Sequence, residues 1–171
     1  MQFVDQVTFV AESGAGGDGA VAFRREKHVP RGGPAGGNGG DGGSVYIEAT
    51  EQMHTLLDLR STQRQKAEDG ERGKGSNKHG RNGEDKIIKV PVGTVARDEE
   101  TGEFIGEVLE PGDRLLIVEG GKGGRGNASY ATSTHQAPRE FQEGQPARER
   151  HLVLELKLVA DVGLVGFPNA G

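Results

Sequence analysis

Apolar and polar residues alternate along several short stretches of the chain, which is the pattern of half-buried β-strands. On this pattern we predict strands at 2–10, 44–49, 86–95, 104–109, 115–118 and 152–158. Pro91 indicates that its strand lies at a sheet edge or contains a bulge. Turn sequences at 98–102 and 110–113 separate the later strands, and only 53–60 could form two helical turns before residue 150. The pattern therefore predicts an all-β fold, a barrel or a sandwich of short strands.

Glycine interrupts the strand pattern in three blocks, 14–43, 70–83 and 120–126, which hold most of the 30 glycines of the chain. Within the blocks the sequence repeats every three residues, over 33–44 and again over 120–126. Three residues per turn is the period of a left-handed polyproline II helix, and glycine allows such helices to pack backbone to backbone. The blocks therefore predict a long, thin bundle that projects from the β-fold.

A flexible linker is the alternative interpretation of the glycine blocks. Ordering one backbone residue costs about 1–2 kcal/mol, and glycine has no side chain to bury in return. Against a linker, Phe23, Val29 and Pro30 interrupt the first block with groups that can pack, and the blocks return between strands. The residues alone leave both interpretations open.

Composition excludes several classes of protein. The chain has no Cys, which excludes a disulfide scaffold, thiolate metal sites and cysteine catalysis. Its amino terminus lacks the features of a signal peptide, and its longest apolar run, 158–167, is too short to cross a bilayer. The five His residues share no metal-ligand spacing, and nothing in 1–160 indicates catalysis. These features predict a cytoplasmic protein with no metal site or catalytic residue in this part of the chain.

The net charge of −5 conceals an uneven distribution of charge. Basic residues collect within and beside the glycine blocks, around 24–31 and over 60–89, whereas acidic residues dominate 97–114. This distribution fits an anionic partner that is met on one side of the molecule, and a set of solvated loops is the alternative.

The last six residues match the first six positions of the phosphate loop G-x-x-x-x-G-K-[ST]. They are Gly166, Phe167, Pro168, Asn169, Ala170 and Gly171. The glycine spacing recurs elsewhere in the chain and carries little information, but the apolar run 156–165 is typical of the buried strand from which such a loop begins. We therefore predict a nucleotide-binding loop that stops before its Lys and Ser/Thr. Three G-x-G-x-x-G matches are excluded as dinucleotide sites because no helix opening follows them.

The chain resembles the amino-terminal part of the Obg family of GTPases in five segments, which are FRREKHVPRGGPAGGNGGDGGSVY, KAEDGERGKGSNKHGRNGED, VPVGT, GGKGGRGN and LELKLVADVGLVGFPNAG. The resemblance implies an Obg fold over 1–158, in which glycine-rich left-handed helices of the polyproline II type stand on a small β-barrel. It further implies that 159–171 begin a GTPase domain, with its first strand and a partial phosphate loop. Ala35 and Asn38 depart from the acidic residues that many members carry.

The resemblance also implies a function. The full-length protein is expected to hydrolyse GTP with Mg²⁺, to bind the large ribosomal subunit during its assembly, to respond to guanosine tetraphosphate in stress, and to be a monomer. These 171 residues are expected to dock on ribosomal RNA and not to be catalytic or to bind GTP, GDP or Mg²⁺. The candidate ribosome contacts are Arg24, Arg25, Lys27, Arg31, Lys74, Lys78 and Arg81. The alternative is an interaction module whose glycine blocks bind a protein or separate domains.

Overall fold

The computed structural model describes residues 4–25 and 32–157, and its regular elements are strands and two short 3-10 turns. The strands are β1 (Val4–Glu12), β2 (Val45–Thr50), β3 (Arg64–Lys66), β4 (Lys86–Pro91), β5 (Thr94–Asp98), β6 (Phe104–Val108), β7 (Arg114–Val118) and β8 (Glu149–Lys157). The 3-10 turns are Leu57–Leu59 and Asn127–Tyr130. The predicted all-β class is therefore confirmed for the described residues, and the helical turns expected at 53–60 reduce to one 3-10 turn.

One predicted strand, 86–95, is two strands in the structure. β4 ends at Pro91, and Gly93 has a φ of 91°, a left-handed conformation that turns the chain into β5. β4 lies at the edge of its sheet, as Pro91 predicted.

The described strands form two sheets around one hydrophobic core. The larger sheet has the order β3-β1-β8-β5-β6 and the smaller one the order β4-β2-β7. Alternate residues of both sheets point inward, among them Phe9, Leu152 and Leu154 from the larger sheet and Ile47 and Val90 from the smaller one. The strands thus bury one face of each sheet in a shared core, as half-buried strands do.

The barrel that the resemblance implied is not closed. β6 and β7 follow each other along the chain, but β6 pairs with β5 and β7 pairs with β2. A Cβ on Gly106 of β6 would lie 2.8 Å from Cδ1 of Leu115 in β7, so the Leu115 side chain fills the space between the two strands. A packed side chain, rather than a hydrogen-bonded ladder, therefore joins the sheets at this point.

Between the strands, six segments pack side by side into a bundle, which we call the glycine bundle. Its segments are 13–20, 36–44, 67–74, 78–86, 120–127 and 142–148. Hydrogen bonds join them at every third residue, as where the N–H groups of Gly14 and Gly17 donate to the carbonyls of Gly43 and Gly40, at 2.9 and 2.8 Å. The glycine blocks are therefore packed against one another with the three-residue period of the sequence, which supports the ordered bundle over a flexible linker.

The third residue of each triplet in 36–44 adds a side-chain acceptor to this bundle. The side-chain oxygens of Asn38, Asp41 and Ser44 accept hydrogen bonds from backbone N–H groups of the segment 120–127, at 2.9, 2.8 and 2.9 Å. Backbone donors that no helix or sheet satisfies need such partners. The repeat of glycines and small polar residues thus encodes both the close packing and the hydrogen bonds of the bundle.

One end of the glycine bundle continues into the strands, and the other end carries three loops. Residue 13 follows β1, 44 precedes β2 and 120 follows β7, so these segments enter the sheets at the same end. At the opposite end lie 21–25 with 32–35, the hairpin 74–78, and 128–141. We call this end, with these three loops, the tip.

Candidate nucleic-acid interface

The side chain of Asn127 holds the loops of the tip together. It is fully buried, with 0% exposure. Its Oδ1 accepts hydrogen bonds from the N–H groups of Gly36 and Ala22, at 2.8 and 3.3 Å. Its Nδ2 donates to the carbonyls of Ala22 and Pro138, at 3.0 and 2.9 Å. One amide thus connects two of the three tip loops to the end of the segment 36–44, and residues at the tip are held in fixed positions.

Two lysines stand side by side on the tip hairpin. Ser76 and Asn77 have φ of 59° and 56°, the left-handed conformation that a tight type I′ turn requires at both central positions. The turn pairs Lys74 with Lys78, and the N–H of Lys74 donates to the carbonyl of Lys78 at 2.9 Å. Like charges directly opposite each other destabilise a strand pair. A bound anion would relieve this repulsion.

The first tip loop, 21–25 with 32–35, places two of the predicted arginines beside this hairpin. Arg24 and Arg25 are exposed and line a cleft of about 550 Å³ together with the hairpin residues Ser76 and Asn77. The N–H of Asn77 donates to the carbonyl of Ala35 at 2.8 Å, which joins the hairpin to the first loop. The structure thus brings Arg24, Arg25, Lys74 and Lys78 to one end of the molecule.

The remaining predicted contacts are less concentrated. Arg81 is exposed on the segment 78–86, three residues after Lys78, which is one repeat of the bundle. Its carbonyl accepts a hydrogen bond from the N–H of Glu71 at 2.9 Å. Lys27 and Arg31 lie outside the described residues. The phosphate-loop residues 166–171 also lie outside them.

Sequence reasoning missed three side chains of the tip surface. The guanidinium of Arg139 lies 5.4 Å from the ring centre of Phe23, a cation–π contact that anchors the last tip loop on the first. Phe141 and Arg72 line a second cleft, beside the hairpin. These residues lie far apart in the sequence, and no local pattern indicates that they come together.

An acidic residue of the tip has a histidine as its hydrogen-bond partner. Nε2 of His135 lies 2.8 Å from Oε1 of Glu140, and this hydrogen bond lowers the pKa of the Glu140 carboxyl. The carboxylate therefore stays ionised, and its hydrogen bond with His135 links two residues of the last tip loop.

Several cations of the sheets are paired, in contrast to Arg25, Arg72, Lys74 and Lys78 near the tip. Arg64 contacts Glu12 and Glu149 at 2.6 and 2.7 Å, and these carboxylates raise its pKa. Lys89 and Arg114 both contact Glu48, and their hydrogen bonds lower the pKa of that carboxyl. Arg150 contacts Asp98 and Glu103, at 3.3 and 3.1 Å.

Arg25, Lys74 and Lys78 of the tip, and Arg72 beside it on the segment 67–74, make no ion pair with any other described residue. Unpaired cations on one end of a rigid projection form a surface of positive potential, which attracts a polyanion such as RNA.

The described residues contain no cluster of three His, Asp or Glu side chains placed to ligate a metal ion. None of their helices has the length and apolarity to cross a bilayer.

Comparison with known proteins identifies relatives over the whole chain. The family model described as GTP1/OBG matches residues 4–158. The chain is 55% identical to the GTPase Obg of Persephonella marina and 60% identical to that of Salinibacter ruber, over 100% of the chain and 50% of each relative. It is 56% identical to the GTPase Obg of Aquifex aeolicus, over 99% of the chain and 50% of the relative. The chain thus spans about half the length of the curated relatives it matches. Because the family model covers both the strands and the glycine bundle, the chain belongs to the GTP1/OBG family.

Proposed function

We propose that this chain is the ribosome-docking region of an Obg-type GTPase and that its tip binds RNA of the large ribosomal subunit. The observation that carries the proposal is a group of four cations near the tip, Arg25, Arg72, Lys74 and Lys78, that make no ion pair with another described residue. In the sheets, by contrast, Arg64, Lys89, Arg114 and Arg150 are all in ion pairs. Contacts to phosphates dominate the affinity of proteins for nucleic acids, and lysine and arginine supply them.

The glycine bundle explains how such a tip would reach a recessed RNA surface. We infer that its segments are left-handed helices of the polyproline II type, on the evidence of their three-residue hydrogen-bond period and of Gly126, whose φ and ψ are −78° and 166°. Such a helix rises about 3.1 Å per residue, so eight residues span about 25 Å. A bundle whose segments pack glycine against backbone is narrow for this length, and it presents the cations at its far end.

The activity proposed for the whole protein follows from the relatives, whose name is GTPase Obg. We propose that it is a cytoplasmic monomer that hydrolyses GTP with Mg²⁺, acts in large-subunit assembly and in the stress response, and responds to guanosine tetraphosphate. We expect the 171 residues by themselves not to bind GTP, GDP or Mg²⁺ and not to hydrolyse GTP, because the partial phosphate loop at 166–171 holds neither the Lys nor the Ser/Thr of the motif.

Charge reversal on the tip hairpin tests the docking proposal. In the variant Lys74→Glu/Lys78→Glu, we expect weaker binding to purified large ribosomal subunits. The slope of log K against log salt should also become shallower by about 2, because two phosphate contacts are lost. The measurement is a sedimentation or fluorescence titration at several salt concentrations.

The matched control for this experiment is Arg60→Glu/Lys86→Glu, which changes the net charge equally at two exposed side chains near the sheets. We expect it to retain the slope of the wild-type chain. An equal loss in the control and the tip variant would show that overall charge, not the tip, governs binding and would contradict the proposal.

A further inference from the structure

A second cleft lies beside the tip hairpin, and we call it the side cleft. It has a volume of about 500 Å³ and lies between two stretches of chain, 18–21 and 72–75, with Phe141 as a further lining residue. These two stretches are fixed to each other, since the N–H of Gly73 donates to the carbonyl of Asp18 at 2.8 Å. The side cleft is therefore part of the rigid scaffold.

The side cleft exposes two apolar side chains. Phe141 is 47% exposed and Val21 is 42% exposed. The backbone beside Phe141 is held on both sides, because Gln142 donates its N–H to the carbonyl of Arg125 and accepts from the N–H of Gly19, at 2.9 and 3.0 Å. Phe141 is thus a half-exposed aromatic side chain on a fixed backbone, and it shares one cleft with a second exposed apolar side chain, Val21.

Two cations border the same apolar groups. Arg72 and Lys74 line the side cleft, and neither makes an ion pair with another described residue. The one carboxylate of the cleft, Asp18, accepts a hydrogen bond from the N–H of Gly144 at 2.9 Å, so its charge is partly satisfied by backbone. The cleft therefore combines an aromatic face with unpaired positive charge.

We propose that the side cleft binds one unpaired nucleobase of an RNA loop, which stacks on the ring of Phe141 while Arg72 and Lys74 contact the flanking phosphates. This inference rests on the proposed function and adds a mode of recognition to it. Stacking on aromatic side chains next to cations is how proteins hold unpaired bases, and every base has a face that can stack. A free phosphate would not stack on the ring of Phe141, and an apolar peptide would not pair with the charges of Arg72 and Lys74.

The first test is an NMR titration of the 171-residue chain with a single-stranded hexaadenylate, using an abasic ribose-phosphate hexamer as the control ligand. We expect the ring signals of Phe141 to shift with hexaadenylate and not with the abasic hexamer. Equal shifts with both ligands, or no shift of Phe141 while the hairpin lysines respond, would overturn the inference.

The second test is the affinity of Phe141→Leu for hexaadenylate. We expect a loss of roughly tenfold with an unchanged salt slope, because stacking is lost and the cations remain. Phe141→Tyr should keep the affinity of the wild-type chain. The matched control is Phe104→Leu, since Phe104 is 52% exposed on β6, away from the tip, and it should bind as the wild-type chain does. A Phe141→Leu variant that is folded and binds equally well overturns the inference.

The two proposals fail in different ways. If the chain binds hexaadenylate through Phe141 but does not bind large ribosomal subunits, the docking proposal fails and the side-cleft inference stands. If the chain binds large subunits in a manner that depends on Lys74 and Lys78, while Phe141 does not respond to the base, the side-cleft inference alone fails.

Discussion

Replacement of Gly39 by alanine is expected to lower the free energy of unfolding by about 3 kcal/mol or more. The added Cβ would lie 1.9 Å from the carbonyl oxygen of Gly17, far inside the contact distance. Neither segment can move away easily, since Gly39 donates its N–H to the carbonyl of Gly124 and Gly17 donates to that of Gly40, both at 2.8 Å. Thermal unfolding followed by circular dichroism should show a decrease in Tm of about 6–12 °C.

The control for this experiment is Gly33→Ala. A Cβ at Gly33 meets no atom within 4 Å, and its φ is not in the left-handed region. We expect its Tm to equal that of the wild-type chain or to exceed it slightly, because alanine reduces the entropy of the unfolded chain. A Gly39→Ala variant as stable as Gly33→Ala would show that the glycine bundle is not packed as described.

Replacement of Asn127 by alanine should have the second largest effect. The substitution leaves the N–H of Gly36 and the carbonyl of Pro138 without a partner in a buried position, whereas the carbonyl of Ala22 keeps its hydrogen bond from the N–H of Ala35. One buried polar group without a partner costs about 1–3 kcal/mol, so we expect a total loss of about 3 kcal/mol. Denaturant unfolding measures the loss, and amide exchange should become faster at Gly36.

Asn82→Ala is the matched control for Asn127. The Oδ1 of Asn82 also accepts a backbone hydrogen bond, from Asp41 N–H at 2.9 Å, but the residue is exposed and water can replace it. We expect its loss to be about 1 kcal/mol or less. Equal losses in the two variants would refute the role of Asn127 as the connection between the tip loops.

Sequence reasoning predicted the elements that depend on local pattern. The alternation of residues located most of the strands, Pro91 marked an edge strand, and the triplets marked the glycine bundle. The triplets also contained the side-chain acceptors of Asn38, Asp41 and Ser44, but their role depends on which segment lies opposite.

Features that depend on distant parts of the chain escaped prediction. The resemblance implied a small β-barrel, yet Leu115 fills the space beside Gly106 and the two sheets are not joined into a closed barrel. Asn127 contacts Ala22 across 105 residues of sequence. Phe141 and Arg72 line the same cleft although they are far apart in the sequence. The resemblance together with the charge pattern named candidate basic residues, but that Arg25, Lys74 and Lys78 make no ion pair with another described residue is a property of the fold.

Amide hydrogen exchange of the chain, with and without large ribosomal subunits, tests the docking of the tip most directly. We expect bound subunits to slow amide exchange in the tip and directly beside it, at 21–25, 72–78 and 128–141. Exchange should stay unchanged in the loops 51–56 and 109–113, which lie at the ends of the sheets away from the glycine bundle. Protection of those loops with unchanged exchange at the tip would contradict the account.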